Sequence, residues 1–427
     1  MVLAVTLIVL LSLSYTLAVF AVSRRKRAPE LKSPDGLYFV FVVPCLNEEL
    51  VIGRTLENLL EIPAENFSVL VVDDGSDDNT AEIAESYDSD RIWVLRRTAP
   101  EARLGKGRAL NAAFNFLMES NVLGGWKRDD VIVVIVDADG RISPNATHEA
   151  GTYFADPKVG GVQIGVRMNN RADKLLARLQ DMEFVTFTEI FQRGREHVGS
   201  VGLGGNGQFA RLTALASLGR DPWTDCLTED LDLGVRMLCH GWHNEFSARA
   251  FVSQQAVTKF RPLVRQRARW FQGHMQCWRR IPNVLASKHL SNKSAFDLVY
   301  HLMSPAVVLL MTLPMLAFTV ALAGMFLVSP TDTARMLAGG GGQNLALWYL
   351  LSFGVAPFYG FAYWIRSGDT GPVKSLFLAH LYTLYSYFWF LSGWRAVWNV
   401  ARRRNGWAKT ARTPEAKKPV SAGQSAN

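Results

Sequence analysis

Val131-Ile132-Val133-Val134-Ile135-Val136-Asp137-Ala138-Asp139-Gly140 is the stretch on which the fold turns. Six consecutive aliphatic residues, four of them valine, read as a strand buried on both faces. β-branched side chains suit a pleated interior, and a short unbroken apolar run suits a parallel sheet. The run stops on two aspartates one residue apart. In an open α/β sheet, ligands bind outside the carboxyl ends of the strands, so Asp137 and Asp139 are delivered to the expected site edge. Side chains two apart in an extended segment point the same way, and hard divalent cations favour such carboxylates. Aspartates serving only as turn residues would look the same at this level.

Working outward, Tyr38 to Val43 is an apolar strand ending at Pro44-Cys45-Leu46-Asn47-Glu48-Glu49, with a helix expected over 50–60. Ser68 to Val72 is the next strand and ends on Asp73-Asp74-Gly75-Ser76, before a helix opened near Asp77 to Thr80. A third strand, Arg91 to Leu95, leads to Gly105-Lys106-Gly107 and a helix through Met118. This βα alternation is the mark of a doubly wound sheet with a nucleotide-sized crevice. Neither GxGxxG after the first strand nor GxxxxGK[ST] occurs, which excludes the dinucleotide fingerprint and the P-loop. Lys106, on a flexible backbone at the sheet edge, suits a diphosphate; a helix-capping turn would also use those glycines.

Further on come a strand over Gly161 to Met168, a long amphipathic helix over Ala172 to Glu196, and the loop Gly202-Leu203-Gly204-Gly205-Asn206-Gly207. So many glycines mean close backbone approach, to another segment or to a bulky ligand such as a sugar. Thr228-Glu229-Asp230 then opens a helix through Cys239, either as an N-cap with acids in the first turn or as a carboxylate aimed into the cleft as general base. A cationic helix from Pro262 to about Arg280 carries Gln266-Arg267-Ala268-Arg269-Trp270. It suits a membrane interface, and Arg269 and Trp270 also suit a phosphate and the face of a sugar.

Val2 to Val22 is almost wholly apolar, about the 20 residues that cross a bilayer, and basic residues 24 to 27 follow at once. That order places the amino terminus outside and the next segment in the cytoplasm, and it argues against a cleaved signal peptide. Three more apolar stretches, near 298–328, 345–365 and 373–400, imply a multi-pass protein of the plasma membrane. Three full crossings would leave residues 402 to 404 outside against the charge rule, so one stretch is expected not to span. The third, carrying His380 and Arg395, is the candidate, and Pro305 or Pro314 could instead break the first. The formal charge of +8 and pI near 9.3 sit largely beside these segments and in the tail 409–418, where anionic headgroups account for them without nucleic acid. Four scattered cysteines in a cytoplasmic segment read as reduced thiols, and residues 413–427 as a disordered tail.

Asp73-Asp74-Gly75, Asp137-Ala138-Asp139, Thr228-Glu229-Asp230 and Gln266-Arg267-Ala268-Arg269-Trp270 occur in the order and approximate spacing of family 2 glycosyltransferases. The chain resembles their membrane-embedded processive branch, which contains cellulose, chitin, hyaluronan and poly-N-acetylglucosamine synthases. The resemblance covers about Tyr38 to Arg280, and Trp407 to Arg412 resembles a tail common in bacterial members. It implies an α/β GT-A (Rossmann-like) cytoplasmic domain flanked by transmembrane helices. The expected parts are a membrane helix over 1–23, the catalytic domain over 37–261, interfacial helices over 262–297, a membrane region over 298–400 and a basic tail over 401–427.

The resemblance also implies an inverting mechanism and a UDP-sugar donor, UDP-glucose or UDP-N-acetylglucosamine foremost, held with Mg²⁺ or Mn²⁺. Asp73 and Asp74 would hold the uridine with Pro44, Asn47 and Glu48, and Lys106 and Arg267 would join the donor site. Asp137 and Asp139 would serve the nucleotide and the metal. Asp230 would be the base, with Glu229, Gln266 and Arg269 in the catalytic set, and Trp270 would floor an acceptor site with Gly205, Asn206 and Gly207. The loop at 204–207 departs from the small-residue loops of cellulose and hyaluronan synthases. Three activities follow: polymerising a β-linked polysaccharide of exopolysaccharide or capsule type and translocating it, which the resemblance favours; adding one sugar to a lipid; or binding a nucleotide sugar as a sensor without catalysis. The complete acidic set argues against the last.

Overall fold

The computed structural model describes residues 2–25, 36–339, 343–404 and 412. Its centre is an eight-stranded sheet built from β1 (Tyr38–Cys45), β2 (Phe67–Asp73), β3 (Ile92–Arg96), β4 (Val131–Ile135), β5 (Arg141–Ile142), β6 (Val159–Met168), β7 (Gln208–Arg211) and β8 (His243–Gln254), in the order β3-β2-β1-β4-β7-β6-β8-β5. The first four strands are parallel, as their βα alternation requires. β7 pairs antiparallel with both β4 and β6, so the sheet is mixed rather than purely parallel. The residues of β4 show why the opening stretch is uniformly aliphatic. Ile132 and Val134 pack into the apolar layer on one face of the sheet, and Val131, Val133 and Ile135 into the layer on the other.

The helices used below are, in chain order, α1 (Val2–Ser23), α2 (Ile52–Leu60), α3 (Thr80–Glu85), α4 (Lys106–Glu119), α5 (Leu175–Thr186), α6 (Arg193–Val198), α7 (Glu229–Cys239), α8 (Phe260–Cys277), α9 (Asn292–Val328), α10 (Gln343–Phe353), α11 (Ala356–Ser367), α12 (Pro372–Ser386) and α13 (Phe388–Ala401), with further helical segments between. The long helix expected over 172–196 is α5 and α6 joined by a π-helical turn, Phe187–Gln192. Such wide turns often mark functional positions, and Phe187, Thr188 and Phe191 all line the cavity described below. α1 docks on α6 where Gly194 has no Cβ to collide with Val19.

Among the described residues, one helical stretch, Asn292–Thr312, is long and apolar enough to cross a bilayer. It lies in α9, which runs without a break through residues 305 and 314. The second and third apolar stretches each divide in two, giving helices of 11, 12, 15 and 14 residues. The third divides at Tyr387. Residues 413–427, Trp407 to Ala411, and the glycine run beyond Gly339 lie outside the described residues.

Candidate active site

Because β1, β2 and β4 are parallel, the turns after them open on one edge, carrying Pro44 to Glu48, Asp73-Asp74 and Asp137 to Asp139 to the same side. β7 runs the opposite way, with Gln208 opposite Ile135, so the glycine loop preceding β7 arrives at that edge too. Lys106, the first residue of α4, ties the parts together. Its Nζ donates to Asp137 Oδ1 at 2.5 Å and to the Gly205 carbonyl at 2.6 Å, and lies 3.9 Å from Glu229 Oε1. Burial works against the ammonium, but Asp137 and Glu229 prevail and hold its pKa above the usual value.

Glu229 and Asp230 begin α7 beside this lysine. Burial, and then the charge of Asp230, push Glu229 up to about 7. Burial also raises Asp230, against the pull of Lys106. A Cβ at position 205 would stand 3.0 Å from Lys106 Nζ and 3.2 Å from Asp230 Oδ2, so a glycine there lets both charged groups close on the loop. Thr228 stands at the N-cap position with Glu229 and Asp230 in the first turn, but its side chain makes no cap hydrogen bond. Its hydroxyl instead lies 3.7 Å from the sulfurs of Cys226 and Cys277, and its backbone packs against Gly273 of α8, where a Cβ would meet Thr228 N at 2.6 Å. That close approach fixes α8 against the acidic turn.

α8 then places Gln266, Arg269 and Trp270 on the wall of a cavity of about 720 Å³, which also admits Pro44, Glu48, Asp74, Lys106, Asp137, Gly205, Asn206, Glu229 and Asp230. Burial lowers the Arg269 pKa, opposed by Glu229, Asp137 and Asp230. Arg267 departs from its expected donor-binding place. It is buried, donates to Glu183 Oε2 at 2.7 Å, and lies 4.0 Å from the centre of the Trp270 ring, so it backs the tryptophan instead of lining the cavity. Tyr385 donates to the same Glu183 oxygen at 2.8 Å. Arg267→Ala would strand Glu183 without its counter-charge, and loss of one partner of a buried pair costs about 3 to 5 kcal/mol. A urea denaturation midpoint that stays in place would show the pair to be dispensable.

Three other expected site residues sit behind the cavity wall. Asp73 accepts the Ser76 amide at 3.2 Å, and Asn47, with φ of 54°, accepts the Asp77 amide at 2.8 Å; both shape turns. Gly207 faces the core, where a Cβ would lie 2.7 Å from Ile164 Cγ1, so its part is to turn the chain into β7. Asn206 does reach the site, accepting the Asp137 amide at 3.1 Å and donating to Gln254 at 2.8 Å. Asp74 lines the cavity and pairs with Arg97, a residue the sequence offered no signal for; burial raises this aspartate's pKa.

Asp139 lies deeper, 1% exposed, and accepts the Gln255 amide at 3.0 Å. Its Oδ1 faces Arg412 in an ion pair at 2.9 Å without hydrogen-bond alignment, and Arg412 Nε lies 3.5 Å from Glu48 Oε2. This corrects the reading of Arg412 as a headgroup contact: the tail arginine stands in the catalytic cleft.

Residues 34–273 match the family described as glycosyltransferase like family 2, more than half of the chain. The chain belongs to glycosyltransferase family 2. It is 30% identical over 309 residues to the beta-monoglucosyldiacylglycerol synthase of Trichormus variabilis, covering 70% of this chain and 62% of that relative. Against the poly-beta-1,6-N-acetyl-D-glucosamine synthase of Staphylococcus aureus the identity is 24% over 255 residues, covering 58% and 57%. This family 2 glycosyltransferase therefore spans about three fifths of the length of these relatives. The mannosyltransferase PcManGT from Pyrobaculum calidifontis, solved in complex with GDP-Man and Mn²⁺, shares the fold at a TM-score of 0.55 and 19% identity, over 90% of this chain and 96% of that one. The domain is thus a GT-A fold with a mixed sheet.

The residues at the β4 end fit a divalent cation. Asp137 and Asp139 offer hard oxygen ligands, and Asp139 Oδ1 is buried with a cation as its close partner. Among the described residues no cluster of three or more His, Cys, Asp or Glu could enclose a metal. A cation here would complete its coordination with phosphate oxygens and water, as Mg²⁺-type sites do.

Proposed function

We propose that this family 2 glycosyltransferase is an inverting enzyme that moves a sugar from a UDP-sugar to a hydroxyl of a membrane lipid at the cytoplasmic face of the plasma membrane. One observation carries the acceptor class. The cavity runs from Asp137, Glu229 and Asp230 past Trp270 to Phe191, Pro305, Val307 and Val308, the last three on the bilayer-length part of α9. An acceptor can reach the carboxylates from the apolar side without entering water.

In this reading Asp74, Pro44 and Glu48 meet the nucleotide. Asp137 and Asp139 would hold the divalent cation, which would offset charge on the diphosphate. Asp230 takes the proton from the acceptor hydroxyl as its oxygen attacks the anomeric carbon from the face opposite the diphosphate, which inverts the centre. Lys106 and Arg269 neutralise the departing UDP, and no covalent intermediate is needed. Trp270 offers the acceptor a flat apolar face, kept in orientation by Arg267 behind it.

A second reading, β-linked polymerisation, draws on the aromatic residues Tyr300, Tyr359, Tyr382 and Trp389 along the same cavity, since rings stack on sugar faces. Incubation of the purified protein with a panel of radiolabelled UDP-sugars and bilayer lipids separates the two. Label that moves into the organic phase as a single glycolipid supports the lipid acceptor. Label in a polymer that resists lipid extraction supports the second reading, and no release of UDP from any donor sinks both.

A further inference from the structure

Between the catalytic carboxylates and the apolar end of the cavity lies a polar neck that the proposed chemistry does not use. Arg195, His274, His301 and Ser304 all line it. His274 follows Trp270 by one turn of α8, and its ring stands 5.3 Å from that of His301 at 85°. His274 Nδ1 lies 3.2 Å from the Trp270 carbonyl, which can only accept, so Nδ1 carries the hydrogen and Nε2 keeps its lone pair. His301 faces this imidazole from α9 and lines the same neck. Arg195 is 3% exposed, and among the described residues its Nη1 is buried without a hydrogen-bond partner. Unpartnered polar atoms in so enclosed a place are costly, and they mark where a ligand's own polar atoms belong.

The charge balance narrows the ligand. Arg195 Nε pairs with Asp297 at 3.0 Å, and Asp297 also accepts from Tyr15 at 2.6 Å and Ser200 at 2.8 Å. The arginine's charge is therefore matched within the protein. Burial lowers the His274 pKa to about 4, so its imidazole is neutral near pH 7. With its one donor held by the Trp270 carbonyl, the neutral His274 ring leaves Nε2 to accept from a hydroxyl, and Arg195 Nη1 offers a donor for a hydroxyl or ester oxygen. Of the four residues named at the neck Arg195 alone carries charge, and Asp297 already balances it, which disfavours a phosphate there.

We infer that Arg195, His274 and His301 form an acceptor subsite for an uncharged lipid headgroup bearing hydroxyl and ester oxygens, placing its free hydroxyl toward Asp230. This rests on the lipid-acceptor reading and specifies its headgroup. The test uses the full chain, immobilised without donor, and measures retention of radiolabelled dioleoylglycerol against dioleoylphosphatidate from mixed micelles. Preferential retention of dioleoylglycerol, weakened about tenfold by His301→Ala and by His274→Ala through loss of one or two hydrogen bonds, is the expected result, with UDP binding unchanged. Preference for the phosphatidate overturns the inference, as does equal retention by either variant that keeps its near-ultraviolet circular dichroism. Failure of the wild-type protein to glycosylate dioleoylglycerol in the presence of a UDP-sugar would count against the lipid-acceptor reading, whereas the retention series decides the subsite independently of turnover.

Discussion

Asp230→Asn slows sugar transfer by about 10² to 10⁴ while UDP-sugar binding survives, because general base catalysis is typically worth that much and the asparagine cannot take the acceptor's proton. Its surroundings suit the task. Burial raises the pKa of Asp230, while Lys106 keeps it from rising further, so the carboxylate is both ionisable and basic. A purely structural acid at the start of α7 would behave differently: losing a favourable helix-dipole interaction costs about 0.3 to 1 kcal/mol of stability and little activity. Paired measurements of donor affinity and transfer rate on one preparation decide the matter. A small, proportionate loss of both would return Asp230 to the helix and leave the base unassigned.

Asp139→Asn is expected to cut turnover at least about a hundredfold, the scale on which removal of one electrostatic stabiliser acts. The side chain keeps its shape and can still accept the Gln255 amide, so the fold and circular dichroism should persist. What changes is charge: one anionic ligand is lost, and Arg412 loses its closest partner. Mn²⁺ titration followed by electron paramagnetic resonance reads the loss without relying on activity. Unchanged Mn²⁺ affinity would remove Asp139 from the metal's ligands. Arg412 sharpens the expectation, since a guanidinium 2.9 Å from Asp139 must give way before a divalent cation approaches the same oxygen.

The strands at the centre were legible because their cause is local. β-branched runs bury on both faces wherever they fall in a parallel sheet, and β1, β2, β3 and β4 all formed within a few residues of expectation. The placement of Lys106 beside Asp137 was legible for the same reason, as both lie where a strand and a helix meet the sheet edge. β7 and β8 were not legible. β7 is short, and β8 mixes exposed and buried positions without strict alternation, so neither carries the periodicity that betrays a strand.

By itself, the sequence determined a doubly wound α/β sheet, the edge of it that carries the chemistry, and the order of the acidic motifs along it, because these follow from hydrophobic period and from carboxylates at strand ends; the GT-A class came from the resemblance that those motifs carry. Only the tertiary structure decided which residues of each motif face the cavity. Arg267 and Arg269 are two apart on one helix, about 200° around its axis, so one must back Trp270 when the other points at the carboxylates. The direction of β7 brought Gly205 and Asn206 to the site and left Gly207 in the core. Packing of α8 and α9 set His274 against His301, and the chain's path carried Arg412 back to Asp139. Such contacts join segments distant in the chain, and local propensity holds no record of them.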